Sequence, residues 1–214
     1  MQHSAEVRQL SVAFQTHQKK TLALDGVSFS LYPGETLVLL GESGCGKSLT
    51  SLALMRLLPK AGVYGIDSQI NLDGEDILNL SERLMRQLRG RRLAMIFQEP
   101  MTALNPVMTI GEQLAEVLLR HKAYTKNELN AAMLASLNEV EMPQPQVKIN
   151  QYPHQLSGGQ KQRVVIAMAL ACNPEILIAD EPTTALDVTI QAQILALLKK
   201  LTKKSSDEHV IDYP

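Results

Sequence analysis

The chain has 214 residues, 45% of them hydrophobic, which suits one compact domain with a sizeable core and at most a small inserted subdomain. A formal net charge of −1 gives no case for nucleic acid as a partner, and two cysteines without metal-ligand spacing argue against a disulfide framework. No apolar run approaches the ~20 residues of a membrane span, so we expect a cytosolic chain that reaches a membrane only through a partner.

The amino-terminal part is predicted to form strands. Residues 5–14 and 21–31 alternate apolar and polar side chains, as half-buried strands do, and a short polar turn separates them. We expect these two strands to pair as an antiparallel edge. Pro33 and Gly34 then interrupt the chain before residues 35–40, which are predicted to form a short buried strand.

The stretch GESGCGKS matches the phosphate-binding pattern G-x-x-x-x-G-K-[ST], and it lies between the strand 35–40 and an apolar helix over 49–58. A helix N-terminus offers free N–H groups and a partial positive charge to phosphate, and glycines let the backbone approach it. Lys47 is expected to contact the β- and γ-phosphates, and Ser48 to offer its hydroxyl to Mg²⁺. The residues expected to bind nucleotide here are Gly41, Glu42, Ser43, Gly44, Cys45, Gly46, Lys47, Ser48 and Leu49.

The middle of the chain changes from strands to helices. A strand over 68–72, a basic helix over 81–92 and a strand over 93–97 are followed by a proline-rich loop. Two amphipathic helices are then predicted over 109–122 and 126–141, the second starting with a Thr-x-x-Glu capping pattern. Because these helices interrupt the strand rhythm, we expect an inserted helical subdomain.

The pentapeptide LSGGQ opens the next predicted helix, which runs to about residue 172. Ser157 and Gln160 have the spacing of a capping box, and Gly158 and Gly159 are expected to leave N–H groups exposed at the helix start. This would be a second anion site, separate from the phosphate-binding loop. Two such sites in one chain suggest that two chains share nucleotides.

Two acidic residues end a fully apolar strand over 175–179. Ligands bind at the carboxyl edge of the strands in open α/β sheets, so Asp180 is placed to hold Mg²⁺, and Glu181 to polarise an attacking water. A last helix is predicted over 188–201. Strands that alternate with helices predict an α/β fold, a mainly parallel sheet of the P-loop NTPase kind with an antiparallel β edge.

The order of these motifs, GESGCGKS, Gln98, LSGGQ, ILIADE and then ALD ending at Asp187, resembles the ATP-binding subunits of ABC transporters over about residues 6–202. The resemblance implies that two such domains pair head to tail and clamp two ATP molecules with Mg²⁺. Each ATP then lies between the phosphate-binding loop of one domain and the LSGGQ of the other. Closing and reopening of this dimer would drive transmembrane permease subunits, to which the chain would bind at the cytoplasmic face of the membrane.

The resemblance also implies roles for single residues. Gln98 begins a loop that senses the γ-phosphate, ligates the metal and touches the permease, and Asp187 lies at the dimer seam. Phe14 is the first candidate to stack on adenine and His17 the second. The implied catalytic residues are Glu181, Gln98 and Lys47, the implied metal ligands are Ser48, Gln98 and Asp180, and the residues implied to meet the partner's ATP are Ser157, Gly158, Gly159 and Gln160.

Three segments narrow the resemblance to importers of oligopeptides and dipeptides, whose relatives also carry nickel, glutathione or peptide antibiotics. These segments are Phe97–Pro106, Tyr152–Gln160 and Ala179–Leu195. The substrate would be selected by an extracytoplasmic solute-binding protein and the membrane channel rather than by this chain. We expect a nucleotide-binding core over residues 1–97 and 156–202, a helical subdomain over 98–155 and a polar tail over 203–214.

The tail departs from the family pattern, because members carry a switch histidine on an apolar strand about thirty residues after the catalytic glutamate. The tail is polar, and neither a strand nor a clear counterpart for that histidine is expected there, although it contains His209. We therefore expect a truncated subunit with an unpaired sheet edge. Two alternatives follow: a nucleotide-binding module with impaired hydrolysis, or a soluble ABC ATPase that acts on DNA or ribosomes.

Overall fold

A computed structural model describes the positions of most of the chain. The described residues are 4–15, 19–42, 44–98, 103–182, 188–204 and 209–212. Among these residues, no helix is both long enough and apolar enough to cross a membrane.

The strands belong to two sheets, one antiparallel and one parallel. The strands are β1 (Ala5–Gln15), β2 (Lys20–Leu31), β3 (Thr36–Val38), β4 (Gly62–Tyr64), β5 (Gln69–Leu72), β6 (Glu75–Asp76), β7 (Leu93–Ile96), β8 (Ile176–Ala179) and β9 (His209–Asp212). The antiparallel sheet has the order β2-β1-β5-β6 with β4 also paired to β1, and the parallel sheet has the order β3-β9-β8-β7. The α/β class and the antiparallel edge predicted from the sequence are confirmed.

The helices lie mostly between β7 and β9 in the sequence. They are α1 (Lys47–Leu54), α2 (Glu82–Leu88), α3 (Ile110–His121), α4 (Lys126–Glu139), α5 (Pro145–Lys148), α6 (Gly158–Leu170) and α7 (Val188–Lys204), with short 3-10 helices at Ile77–Asn79 and Pro153–Gln155. Capping side chains set most of their starts, as the sequence predicted at Thr125 and Ser157.

Strands β7 and β8 lie between two hydrophobic clusters, so both of their faces are buried. The cluster that includes the helical segment contains Leu114 of α3, Leu137 of α4 and Val164 of α6, so these helices pack on the same core as the parallel sheet. Alternate residues of the two strands face opposite clusters, as the two-residue period of a strand requires. One cluster receives Ala94, Ile96, Leu177 and Ala179; the other receives Leu93, Met95, Ile176 and Ile178.

Strand β3 is less buried than the sequence predicted. Val38 is 45% exposed, and Leu40 beyond it is 78% exposed. The reason lies in the sheet order, because β3 is an edge strand with β9 as its only described neighbour. The prediction of a buried strand, which was made from its apolar residues, was therefore wrong for Val38 and Leu40.

The tail also differs from the sequence-based expectation, because β9 lies between β3 and β8 and pairs with both in parallel. The expectations of a tail without a strand and of an unpaired sheet edge are therefore corrected. Without β9, a gap one strand wide would separate β3 from β8, and the N–H and C=O groups that face this gap would have no partners. A short extended segment in the gap forms hydrogen bonds with both strands. In this register His209 lies at the amino end of β9 and pairs with Ile176. The carboxyl end of β9, at Asp212, is about 10 Å from His209 along the strand.

Candidate functional site

The phosphate-binding loop lies between β3 and α1, and its shape depends on glycines. Gly44 and Gly46 have φ values of 84° and 100°, a region that side chains disfavour. At Gly46 an added Cβ would also lie 2.5 Å from Cδ2 of Leu24. The loop therefore approaches β2 closely, and Gly46, the N-cap residue just before α1, has no side chain to cap the first N–H groups of the helix.

Lys47, the first residue of α1, folds back over this loop. Its Nζ donates hydrogen bonds to the carbonyl oxygens of Gly41 at 2.6 Å and Glu42 at 3.2 Å. The ammonium group thus lies on the same side as the uncapped start of the helix. Both the charge and the helix dipole favour an anion there.

Ser48 and Asp180 bring the loop and the end of β8 together. The Ser48 hydroxyl donates to Oδ1 of Asp180 at 2.9 Å, and Asp180 is only 5% exposed. Burial raises the pKa of Asp180; the hydrogen bond from Ser48 opposes this, the charge of Glu181 adds to it, and Lys47 opposes it. A hydroxyl and a buried carboxylate form the hard oxygen donor set that Mg²⁺ prefers, so these residues fit that ion.

Glu181 follows on a strained turn. Its φ is 45°, outside the extended region to which a following proline confines a residue. Such a backbone costs about 1–3 kcal/mol and persists only where its surroundings hold it. Two side-chain amides hold this turn: Gln98 Nε2 donates to Oε2 of Glu181 at 2.8 Å, and Gln162 Nε2 donates to the carbonyl oxygen of Pro182 at 2.7 Å.

These groups surround an open cavity of about 500 Å³. Its described lining residues are Leu22, Ala23, Gly44, Gly46, Lys47, Ser48, Leu49, Gln98 and Glu181. Sequence reasoning missed Leu22 and Ala23. Leu22 is an apolar residue of β2 that is 54% exposed, and that exposure becomes visible only in the structure. Cys45 is exposed in the same loop.

The predicted adenine-stacking residue lies beside this cavity rather than in its described lining. Phe14 pairs with Thr21 of β2 and Gly62 of β4, one residue pair beyond Ala13 and Leu22. Its role stays a prediction. The second candidate, His17, lies outside the described residues, as do Ser43 and Asp187.

The start of α6 has the predicted capping box. The Ser157 hydroxyl accepts from the N–H of Gln160 at 3.4 Å, and Oε1 of Gln160 accepts from the N–H of Ser157 at 3.2 Å. Ser157 and Gly158 are exposed, whereas Gly159 is buried. An added Cβ at Gly159 would lie 2.9 Å from Cγ2 of Ile190, so this glycine permits close packing against α7.

A second cavity, of about 310 Å³, lies beside Gln98 between β7, α3 and α6. Its lining is mainly apolar and includes Met55, Val117 and Met168. Two more lining residues, Leu57 and Phe97, are each 40% exposed. This cavity is therefore an open apolar groove on the surface.

The chain resembles proteins of known family over most of its length. The model of the family described as "ABC transporter" matches residues 24–184. The chain is 52% identical over 205 residues to the dipeptide transport ATP-binding protein DppD of Bacillus subtilis (strain 168), covering 96% of this chain and 61% of that protein. It is also 52% identical over 205 residues to the glutathione import ATP-binding protein GsiA of Escherichia coli (strain K12), covering 94% of this chain and 33% of that one.

Among solved structures, the chain is similar to the dimeric ATP-binding cassette MJ0796 in a post-hydrolysis state bound to ADP and Pi. The TM-score is 0.82 at 28% identity, and the match covers 97% of this chain and 86% of that chain. The chain thus spans nearly a whole solved cassette. Against the curated relative DppD, it spans only 61% of the length.

Proposed function

Because this chain belongs to the ABC transporter family, we propose that it is an ATP-binding and ATP-hydrolysing subunit that powers import of peptides or related small solutes. The observation that carries the proposal is the convergence of Lys47, the Ser48–Asp180 pair and the Gln98–Glu181 pair on one cavity. An uncapped helix start and a lysine bind phosphate, and paired carboxylates provide a metal site and a base. Each of these parts alone is common, and it is their convergence on one cavity that supports nucleotide hydrolysis.

ATP would lie in this cavity with its phosphates over the start of α1. Lys47 would bind the β- and γ-phosphates, and the loop N–H groups from Gly44 to Lys47 would surround them. Ser48, Asp180 and Gln98 would hold Mg²⁺, which when bound neutralises charge on the phosphate oxygens. Phe14, beside the cavity at the β1–β2 pair, would stack on the adenine.

Glu181 would act as the general base. Its carboxylate accepts from Gln98 Nε2 at 2.8 Å, so the two side chains can hold a water between the base and the phosphate. Phosphoryl transfer depends mainly on such positioning. Hydrolysis would therefore depend on the strained turn, because this turn sets the position of the Glu181 carboxylate.

The start of α6 would bind the ATP of a second ATP-binding subunit. Ser157 and Gly158 are exposed there, and neither is among the residues lining this chain's own phosphate cavity. The similarity to a dimeric cassette supports a dimer, and we propose that its two chains pair head to tail so that each site is completed by the partner.

The apolar groove beside Gln98 would bind a helix of a permease subunit at the cytoplasmic face of the membrane. Its exposed Leu57 and Phe97 offer apolar surface to such a helix, and Phe97 is adjacent to Gln98 in the chain. A solute-binding protein outside the membrane would supply the cargo. The similarity to a dipeptide transport ATP-binding protein and to a glutathione import ATP-binding protein supports this class of solute.

The test is the variant Glu181→Gln, measured for ATP binding and turnover with Mg²⁺. Loss of a general base lowers turnover by about 100-fold or more, whereas ATP binding should be retained and an ATP-bound dimer should accumulate. Glu175→Gln is the matched control, because Glu175 precedes the other end of β8 and pairs with Arg92 at 2.7 Å.

Equal turnover in Glu181→Gln and the unmodified chain would refute the base assignment. ATP binding by the unmodified chain without turnover would instead favour a nucleotide-binding module with impaired hydrolysis. Absence of ATP binding would refute the proposed function.

A further inference from the structure

Gln162 is a buried amide in the middle of an apolar helix face. It lies in α6 two residues after Gln160, its residue exposure is 0%, and the following Val164, Val165 and Ile166 are buried as well. Its Nε2 donates to the carbonyl oxygen of Pro182 at 2.7 Å. Its Oε1 is buried, and no hydrogen-bond partner for it exists among the described residues.

This half-satisfied amide is a poor choice for packing alone. A buried polar atom without a partner destabilises a fold, and a methionine of similar volume would fill the same space without that cost. A residue that breaks a folding rule is expected where function requires it. The contact with Pro182 is the feature that the amide supplies and a methionine would not.

The backbone around Pro182 explains what this contact does. The N–H of Asp180 donates to the carbonyl oxygen of Ile96 at 3.0 Å, which fixes the turn before Glu181. Gln162 fixes the turn after Glu181. Between these two points Glu181 has a φ of 45°, so the base lies on a strained residue that is held on both sides.

We propose that Gln162 is a positioning residue: its hydrogen bond to Pro182 keeps the Glu181 carboxylate oriented for hydrolysis. The proposal rests on the proposed function, in which Glu181 is the base. Gln162 is not among the described residues that line the phosphate cavity, and its hydrogen bond goes to the backbone of Pro182, so its effect passes through that backbone. Losing it should slow the chemical step and leave nucleotide binding intact.

The main test compares Gln162→Met with a matched control, Gln113→Met, in the full chain. Gln113 is also a buried helical glutamine, 4% exposed, but it bonds to the backbone of Asn105 and Met108 far from the turn at Glu181 in the sequence. Gln162→Met should lower kcat about tenfold or more with KM for ATP changed less than twofold, because misplacing a catalytic group slows chemistry. Its Tm should fall less than that of Gln113→Met, because the loss of the hydrogen bond to Pro182 is offset by removal of an unpartnered oxygen.

Gln113→Met should show the opposite pattern, a larger fall in Tm with kcat unchanged within twofold, because it leaves paired backbone groups without partners. The proposal is overturned if Gln162→Met lowers kcat no more than Gln113→Met. It is equally overturned if the loss of kcat comes with a fall in Tm as large as that of Gln113→Met and a rise in KM, as a structural role would give.

A second variant, Gln162→Glu, gives an internal test by pH. A protonated carboxyl can donate to the Pro182 carbonyl, whereas a carboxylate cannot, and burial raises the pKa of a carboxyl group at such a site. Turnover of Gln162→Glu relative to the unmodified chain should therefore recover as pH falls. A ratio that is flat across pH would overturn the proposal, and this series does not require Gln162→Met to fold.

Hydrogen exchange separates failure of this inference from failure of the proposed function. The N–H groups of Asp180 and Glu181 should exchange faster in Gln162→Met than in Gln113→Met, whether or not the chain hydrolyses ATP. If the unmodified chain shows no turnover, the proposal that it hydrolyses ATP fails, and this exchange difference still decides whether Gln162 holds the turn. Equal exchange in both variants would overturn the inference.

Discussion

Helix α1 is preceded by Gly46 at its N-cap position, which has no side chain to accept from the first turn, whereas α3, α4 and α6 each begin with a capping box. In a capping box the first side chain accepts from the backbone, and the residue three positions later bonds back. Three helices therefore cover part of their own positive ends. The start of α1, which lines the phosphate cavity, is left open to a ligand.

The three capping boxes differ in charge. The reciprocal residue is Glu112 in α3 and Glu128 in α4, but it is the neutral Gln160 in α6. Hydrogen bonds from Thr109 lower the pKa of Glu112, and hydrogen bonds from Thr125 lower that of Glu128, so both are carboxylates at neutral pH. Their charges oppose the positive ends of their helices, whereas the neutral Gln160 leaves the positive end of α6 without an opposing charge.

The largest expected effect comes from removing the charge at the open helix start. Lys47→Met keeps the side-chain stem but removes the ammonium group, and it should weaken ATP binding about 100-fold, since hydrogen bonds to charged groups are the strong ones. Titration of ATP against the full chain measures this. Lys126→Met is the matched control, because Lys126 is likewise the first residue of its helix, α4. In α4, the carboxylate of Glu128 already interacts with the positive end of the helix.

Lys126→Met should leave ATP affinity unchanged within twofold. Comparable weakening by both variants would mean that general charge, rather than the open start of α1, attracts the nucleotide.

A smaller effect is expected from placing a carboxylate in the capping box of α6, as α3 and α4 already have. Gln160→Glu preserves the capping geometry but places a carboxylate where the partner's ATP is proposed to bind. Turnover of the dimer should fall about tenfold from charge repulsion, while Tm stays level or rises slightly. Steady-state ATPase rates and thermal unfolding check the two halves of this expectation.

The reverse substitution is the control for that test. Glu112→Gln neutralises the same position in α3 and should not change turnover. An unchanged rate in Gln160→Glu would contradict the proposal that the start of α6 meets an anion.

Short local patterns were enough to predict much of this site. The phosphate-binding loop, the strand that ends at Asp180 and the cap at Ser157 each depend on residues adjacent in sequence, and each lies where the pattern placed it. The α/β fold followed from the same patterns in order.

Contacts between distant segments were not predictable in this way. The partner of Gln162 is the carbonyl of Pro182, a backbone group that carries no sequence signal of its own. Leu22 lines the cavity because β2 passes the loop, and β9 is a strand because β3 and β8 leave a gap that it fills. Such placements depend on sheet order and register, which no short window of sequence contains.

The smallest expected effect concerns a helix start that serves the fold alone. Thr125 accepts from the N–H of Glu128 at 3.4 Å and donates to its Oε2 at 2.7 Å. Thr125→Ala removes this cap and should cost about 1 kcal/mol of stability, or roughly 2–4 °C in Tm, with turnover per folded molecule unchanged. Thermal unfolding and ATPase rates on one preparation check this. If Thr125→Ala instead lowered turnover as much as Gln160→Glu, the start of α4 would also act on catalysis. The distinction between helix starts that meet nucleotide and helix starts that only stabilise the fold would then no longer hold.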